Sequence, residues 1–217
     1  MSQVDDPIAV FRDAFERAQA LEAGRGSIFG LLRALLYRLV KARMPSLSDA
    51  NAMTLATADA EGRPSARVVL LKGVDERGFV FYTNYGSRKA RELTARPYAA
   101  LCAHFVDLAV QVRVEGAVER VSDAESDAYF ASRPRISQLG AWASRQSEPL
   151  GSREELQARV DEFDKRYPDK VPRPPFWGGF RVVPDRLEFW YGKVGRLHDR
   201  ILYEREGASF RQSRLYP

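Results

Sequence analysis

The stretch Arg67-Val-Val-Leu-Leu-Lys-Gly-Val-Asp-Glu-Arg-Gly-Phe-Val-Phe-Tyr-Thr-Asn-Tyr-Gly-Ser-Arg-Lys89 carries the signals that decide the fold. Arg67 to Lys72 reads as a strand, apolar in the middle and cationic at both ends. Asp75 to Gly78 supplies turn chemistry, with a glycine available for positive φ. Phe79 to Thr83 is aromatic and β-branched, so it reads as the second strand of a hairpin. A helix is expected from Arg88 to about Ala95, with Ser87 as its N-cap. Arg88 and Lys89 then occupy a first turn where the helix dipole disfavours cations. A bound anion would relieve that conflict, because free N–H groups and cations would converge on it. Two readings stand on this pattern alone, a phosphate site and a solvated basic helix start.

Upstream, residues 7 to 23 have helical spacing in Ile8, Phe11, Phe15 and Ala18, with Pro7 in the first turn. A second amphipathic helix is expected from Ser27 to about Arg43, with Leu31, Leu32, Leu35, Leu36 and Leu39 in its stripe. Its stripe suits packing on the body of the protein or on a sister subunit. Its basic face is also compatible with an anionic membrane surface. Residues 1–50 thus read as a helical arm and 51–217 as the main domain.

Downstream of the opening stretch, Met53 to Thr57 and Ala99 to Phe105 read as strands. Ala109 to Glu115 alternates at period two, placing Val110, Val112 and Val114 on one face and Gln111, Arg113 and Glu115 on the other. The strand is expected to continue past a bulge at Gly116 to Val121. Ser122 with Glu125 forms a capping-box pattern for a helix to Ser132, and Gly151 to Tyr167 reads as a charged amphipathic helix. Strands resume at Trp177–Val183, Asp185–Trp190, His198–Glu204 and Ser209–Leu215. Many short strands with turn signals between them indicate a mainly β, antiparallel barrel with peripheral helices.

The 217 residues are 45% hydrophobic and 29% charged, which is ordinary for a soluble globular protein with a sizeable core. The net charge of +5 permits anionic partners without choosing among them. The basic residues fall in clusters rather than in one stripe, which argues against a nucleic-acid binder. Cys102 is the only cysteine, and His104 and His198 are the only histidines, so no disulfide or cysteine metal cluster is expected. The chain opens with Asp5 and Asp6 rather than a basic, then apolar, leader, and the apolar run from Ile28 to Val40 is short and interrupted by charge. A cytoplasmic setting is the expectation.

Further candidates for chemistry lie in the second half. Arg133, Arg135 and Ser137 flank Pro134, and an arginine pair with a hydroxyl suits clustered anionic oxygens. The same residues also fit an ordinary surface loop. The run Glu188 to Arg200 concentrates aromatic, cationic and imidazole groups, with Trp190 able to wall an aromatic ligand. Lys72 and Tyr129 are potential proton donors, each with a plain structural reading. No P-loop, Ser-His-Asp order or paired-carboxylate hydrolase pattern stands out.

Several blocks together resemble the pyridoxamine 5'-phosphate oxidase family. They are Arg67-Val-Val-Leu-Leu-Lys72, Phe81-Tyr-Thr-Asn84, Gly86-Ser-Arg-Lys89, Ser132 to Trp142, Ser144-Arg-Gln-Ser147, Phe176 to Arg181, and Glu188-Phe-Trp190 with Arg196-Leu-His-Asp-Arg200. The likeness runs from about Asn51 to Pro217. It implies an FMN-binding split β-barrel working as a homodimer with flavin at the subunit interface. It also implies oxidation of pyridoxamine or pyridoxine 5'-phosphate to pyridoxal 5'-phosphate, with dioxygen as acceptor and hydrogen peroxide released. By matching motif positions, it implies FMN contacts from Arg67, Val68, Val69, Leu70, Leu71, Lys72, Tyr82, Thr83, Arg88, Lys89, Gln111, Gln146, Ser147, Trp190 and Arg200. Lys72, Tyr129, Arg133 and Ser137 would hold the substrate phosphate. Arg196 and His198 would lie over the substrate ring as the catalytic pair, Arg196 orienting the substrate and His198 assisting.

The chain departs from the family pattern in two places. Phe105 and Val110 stand where the family has Trp and Arg, although strand alternation lets Val110 point away from a ligand that Gln111 touches. Ser27 to Met44 looks like an insertion that bears on substrate access. Two alternatives therefore remain beside the main reading. One is a related flavin oxidase acting on another substrate, as in the phenazine pathway; the other is a non-catalytic carrier of flavin or pyridoxal phosphate.

Overall fold

The structure, a computed structural model, describes residues 6–24 and 50–217. The helix expected from Ser27 to about Arg43 lies outside the described residues. Helix α1 (Pro7–Gly24) is followed by β1 (Ala52–Ala58), β2 (Pro64–Leu70), β3 (Gly73–Asp75), β4 (Gly78–Asn84) and α2 (Arg88–Ala95). Next come β5 (Tyr98–Phe105), β6 (Val110–Arg120), α3 (Asp123–Ser132), α4 (Arg135–Ala143) and α5 (Arg153–Arg166). The chain closes with β7 (Trp177–Tyr191), β8 (Asp199–Glu206) and β9 (Ser209–Leu215). Among the described residues no helix is long and apolar enough to cross a membrane.

All strand pairings are antiparallel, in the order β2-β1-β5-β6-β7-β4-β3, with β8 on β7 and β9 on β8. The ends of that order, β2 and β3, are joined only by Leu71 and Lys72, so the sheet curls into a barrel with a split between them. This corrects the expected hairpin. The Arg67 strand pairs with β1, Arg67 opposite Leu55, and does not pair with the Phe79 strand. The hairpin partner of β4 is the three-residue β3. Lys72 still donates its N–H to the Val80 carbonyl at 2.8 Å, so it bridges from one side of the split to the other.

Strand alternation places the core as its pattern predicts. Val110, Val112 and Val114 are buried while Gln111, Arg113 and Glu115 are half-buried on the opposite face. The register shift between Glu115 and Gly116 is the expected bulge. The strands expected at 177–183 and 185–190 are one continuous strand, β7, which runs through Pro184. It pairs with β6 along most of its length, with β4 at its first half and with β8 at its second.

Helix α1 closes one end of the barrel. Phe11 is fully buried, its ring 4.8 Å edge-on to Phe79 and 5.9 Å from Phe105. Phe105 and Val110 face each other across β5 and β6 and both belong to this core. The two residues that depart from the family pattern are therefore packing residues, on the opposite strand face from Gln111.

A second apolar cluster joins Phe130, Leu139, Ala141, Val171 and Trp177, and packs α3 and α4 against the start of β7. Here sequence and structure part again, because Arg135–Ala143 is a helix where an ordinary surface loop was the plain expectation. Arg135 points its guanidinium to Asp164 and to the carbonyls of Tyr167 and Asp169, tying α4 to the end of α5. Helix α3 begins with the predicted capping box of Ser122 and Glu125. Glu125 also binds Arg181 at 2.8 Å, and Arg181, 1% exposed, reaches Asp75 at 3.0 Å. The Ser122 N–H, helped by Arg181 and Arg77, outweighs burial and holds the Glu125 carboxyl down to about 2.

The bulge at Gly116 generates a direct test of the packing. A Cβ there would lie 1.9 Å from the Val183 carbonyl oxygen, with backbone on both sides unable to yield cheaply. Gly116→Ala is expected to destabilise the fold by about 2–3 kcal/mol, read as a lower urea midpoint with unchanged slope. An unchanged midpoint would contradict the close approach of β6 and β7.

Candidate functional site

Beside the split, β2 and β4 contribute to a cleft of about 470 Å³. Val68, Val69, Leu70 and Lys72 line it from the β2 side, and Tyr82, Thr83 and Asn84 from β4. Lys89 enters from α2, Tyr129 and Arg133 from the end of α3, and Ser137, Gly140 and Ala141 from α4. Ser144, Gln146 and Trp177 complete the wall. The structure thus gathers into one cleft eleven residues singled out in the sequence, drawn from five separate segments.

One end of the cleft is cationic. Lys89 Nζ donates to Thr83 Oγ1 at 3.2 Å, Gln146 Oε1 at 3.1 Å and Ser87 Oγ at 3.3 Å. Burial, followed by repulsion from Arg67, lowers the Lys89 pKa to about 8, with Glu92 acting in the opposite sense. Arg67 donates to Thr57, Ser65 and Glu92, the last at 3.1 Å. Arg88 binds Glu92 through Nε at 2.7 Å and remains 59% exposed. Ser87 occupies the N-cap position with extended backbone, but its side chain makes no cap bond. Ser147, itself at φ 76°, instead accepts the Arg88 N–H at 3.1 Å. The cap comes from a segment distant in sequence and pins Gln146 and Ser147 over the helix start.

The other end is aromatic and holds one buried guanidinium. Tyr82 stacks on Tyr129 at 4.1 Å and on Trp177 at 5.5 Å. Arg133 lies 4.7 Å over the Trp177 ring and 5.6 Å from Phe130. Its Nη1 is buried without a hydrogen-bond partner. Such an unmatched donor is costly unless a ligand meets it. Burial pulls the Arg133 pKa down and pushes those of Tyr82 and Tyr129 up, so both phenols keep their protons and remain donors.

The remaining candidates form a second group at the far end of β7. Gln111, Trp190 and Arg200 sit side by side across β6, β7 and β8. Arg200 donates Nε to Glu188 at 2.7 Å and Nη1 to the Tyr216 carbonyl at 2.9 Å. His198 packs on Trp190 at 4.4 Å, and its Nδ1 accepts the Lys193 N–H at 3.1 Å. That bond leaves Nε2 as the protonated nitrogen of the neutral ring. Arg196 has φ 62°, next to Gly195 at 69°, an uncommon backbone for a residue with a side chain. None of these five lines the cleft. Leu71, also singled out, contributes its side chain to the core.

Sequence reading missed Asn84, Gly140, Ala141, Ser144 and Trp177 as cleft wall, and Glu92 as the carboxylate that joins Arg67 to Arg88. Asn84, Gly140 and Ala141 fall inside quoted blocks without a role, and Ser144 opens another. The only signal for Glu92 is its spacing four residues after Arg88, which usually marks a surface pair.

Known proteins match the chain along most of its length. The family model described as pyridoxamine 5'-phosphate oxidase matches residues 40–167, and that described as pyridoxine 5'-phosphate oxidase C-terminal dimerisation region matches 177–217. The chain is 64% identical over 172 residues, 79% of each chain, to a pyridoxine/pyridoxamine 5'-phosphate oxidase of Rubrobacter xylanophilus. It is 55% identical to one of Myxococcus xanthus, covering 98% of this chain and 92% of that protein. Among solved structures, PhzG from Burkholderia lata, in complex with tetrahydrophenazine-1-carboxylic acid, is 32% identical with a TM-score of 0.74. It covers 87% of this chain and 92% of that one. Matched over nearly its whole described length by these family models and relatives, the chain belongs to the pyridoxamine 5'-phosphate oxidase family, a family of oxidoreductases.

Proposed function

We propose that the protein is an FMN-dependent oxidase that converts pyridoxamine 5'-phosphate or pyridoxine 5'-phosphate to pyridoxal 5'-phosphate, with dioxygen as acceptor and hydrogen peroxide as by-product. The observation that carries this reading is the cleft itself. Lys89 lines its cationic end, with Arg67 near it and Arg88 joined to Arg67 through Glu92, both outside the lining, and the unpaired Nη1 of Arg133 is buried at its aromatic end. Two separate anion-seeking ends suit one phosphorylated cofactor and one phosphorylated substrate.

The residues fit a flavin phosphate. A dianion wants several cations with hydroxyl or amide company, and Lys89 already gathers Thr83, Ser87 and Gln146 around its ammonium. The chemistry that FMN supplies when bound is acceptance of a hydride equivalent from the substrate carbon and its delivery to dioxygen. The chain's own residues bind and orient. Lys72, Tyr129, Arg133 and Ser137 hold the substrate phosphate in this reading, and the Tyr129 phenol, raised by burial, acts as a neutral donor. Arg196 lies against the substrate ring, with His198 offering its Nε2–H.

The second group bears on oligomeric state. Trp177 lines the cleft, whereas Trp190 lies thirteen residues further along β7. At roughly 3.3 Å per residue that is about 40 Å of strand, more than one nucleotide-sized ligand spans. A homodimer in which each copy brings its Trp190 end to the other's cleft reconciles the two groups. The match of residues 177–217 to a C-terminal dimerisation region supports it. Strain at Arg196 supports a functional loop there.

The likeness to PhzG favours one second reading, a related flavin oxidase acting on a different ring system. The higher identity to the vitamin B6 oxidases favours the first. Purified protein assayed aerobically with both B6 phosphates, reading pyridoxal 5'-phosphate and peroxide, decides between them. Bound flavin without turnover on either phosphate would contradict the main reading.

Two further outcomes are expected. Arg196→Ala should cut turnover by on the order of a hundredfold while flavin retention changes little, and equal loss of both would contradict its orienting role. The second concerns pH. Lys89 titrates near 8, so it is charged below that value and neutral above it. FMN affinity should therefore fall about twofold from pH 7 to 8 and on the order of tenfold by about pH 9. A titration of flavin fluorescence that stays level across this range would remove Lys89 from the phosphate site.

A further inference from the structure

Among the described residues Glu92 is the one carboxylate hydrogen-bonded to both Arg67 and Arg88, and it is 5% exposed. A buried carboxylate beside a phosphate site repels the ligand unless it does something else there. What it does here is organise. Oε2 accepts from Thr57 Oγ1 at 2.5 Å, Ser65 Oγ at 2.7 Å and Arg67 Nη2 at 3.1 Å, while Oε1 accepts from Arg88 Nε at 2.7 Å. Donors from β1, β2 and α2 thus meet on one side chain. Arg67 and Arg88 are brought together although their like charges would part them.

We propose that Glu92 is the positioning residue of the phosphate subsite, fixing the Arg67 and Arg88 guanidiniums and matching the subsite's charge to a dianionic phosphate monoester. The inference rests on the FMN reading above. Arg67, Arg88 and Lys89, less the Glu92 carboxylate, leave two positive charges, the complement of a monoester dianion. Burial alone would raise the Glu92 pKa, but its bonds to Thr57, Ser65, Arg88 and Arg67 bring it down to about 2, so it is charged at neutral pH. Lys89 faces Arg67 from β2 and Glu92 one turn on along α2, and otherwise neutral Thr83, Ser87 and Gln146. Removing the Glu92 charge therefore makes the Lys89 ammonium harder to keep.

The test compares FMN with riboflavin, which lacks the phosphate, on the full chain freed of flavin. Glu92→Gln is expected to raise the FMN Kd on the order of tenfold or more and to leave the riboflavin Kd within about twofold. The alkaline fall in FMN affinity should also move to lower pH. Equal loss of both flavins, or an unchanged FMN Kd with an unmoved pH profile, would overturn the role and leave Glu92 as a folding residue. If the unaltered chain itself binds FMN no better than riboflavin, the FMN reading is overturned, and the Glu92 inference with it. Thermal unfolding of the variant checks that it folds. Should it not, Thr57→Val removes one donor from Glu92 and keeps its charge. That variant is expected to raise the FMN Kd about threefold with riboflavin unchanged, and equal changes for the two flavins would overturn the role.

Discussion

A single strand constrains everything else in the molecule. β7 pairs with β6 along most of its length, and with β4 and β8 in succession along its other edge. Its register therefore sets two places at once. At the Trp177 end, Gly178 and Gly179 lie opposite Thr83 and Tyr82 and admit close neighbours. A Cβ on Gly178 would fall 2.1 Å from the Tyr85 hydroxyl. At the other end, Trp190 carries Gln111 on one side and Arg200 on the other. A one-residue slip would turn both groups to the wrong face of the sheet. Buried Arg181, held by Asp75 and Glu125, locks the first half of the strand to the β3–β4 turn and to helix α3. Removing a carboxylate partner would leave the buried Arg181 guanidinium short of its counter-charge, which costs more than the pair's net contribution.

Electrostatics then separates the two ends of the cleft. At the basic end the protein supplies its own anion, Glu92, and so can hold Arg67 and Arg88 together before any ligand arrives. At the aromatic end it supplies none for Arg133 Nη1, which is surrounded by Trp177, Phe130 and Tyr129. The first arrangement is preorganised, and the second waits for a partner. Preorganised charge lowers the reorganisation needed on binding. On the proposed reading this suits a tightly kept cofactor at one end and an exchanging substrate at the other.

Much of this was legible in the sequence, and the failures have physical causes. Period-two alternation in β6 placed its core face and its bulge correctly, because burial on one side of a strand leaves that imprint. The capping box of α3 is local chemistry and was read correctly. The partner of the Arg67 strand was not, since nearness in sequence favours a hairpin, whereas barrel closure sends β2 to β1 across a turn of its own. Helix α4 was missed because Pro134 and Gly140 read as breakers within a short segment, and Phe130, Val171 and Trp177 supply its stability through packing. The site blocks were found by resemblance, which carried them as a set. That they divide into a cleft group and a β7-end group is a matter of register. Glu92 stayed hidden because Thr57 and Ser65 approach it from 35 and 27 residues away.

The central claim is that each working site takes its cleft from one copy of the chain and its Arg196 from another. Complementation measures this directly. Arg133→Ala and Arg196→Ala proteins, each nearly inactive alone, are unfolded together, refolded as a mixture and assayed. In a mixed dimer one site would carry both defects and the other neither, so a statistical mixture should recover about a quarter of the unaltered activity. Activity that stays at the level of the separate variants would contradict a shared site and return both groups of residues to a single chain.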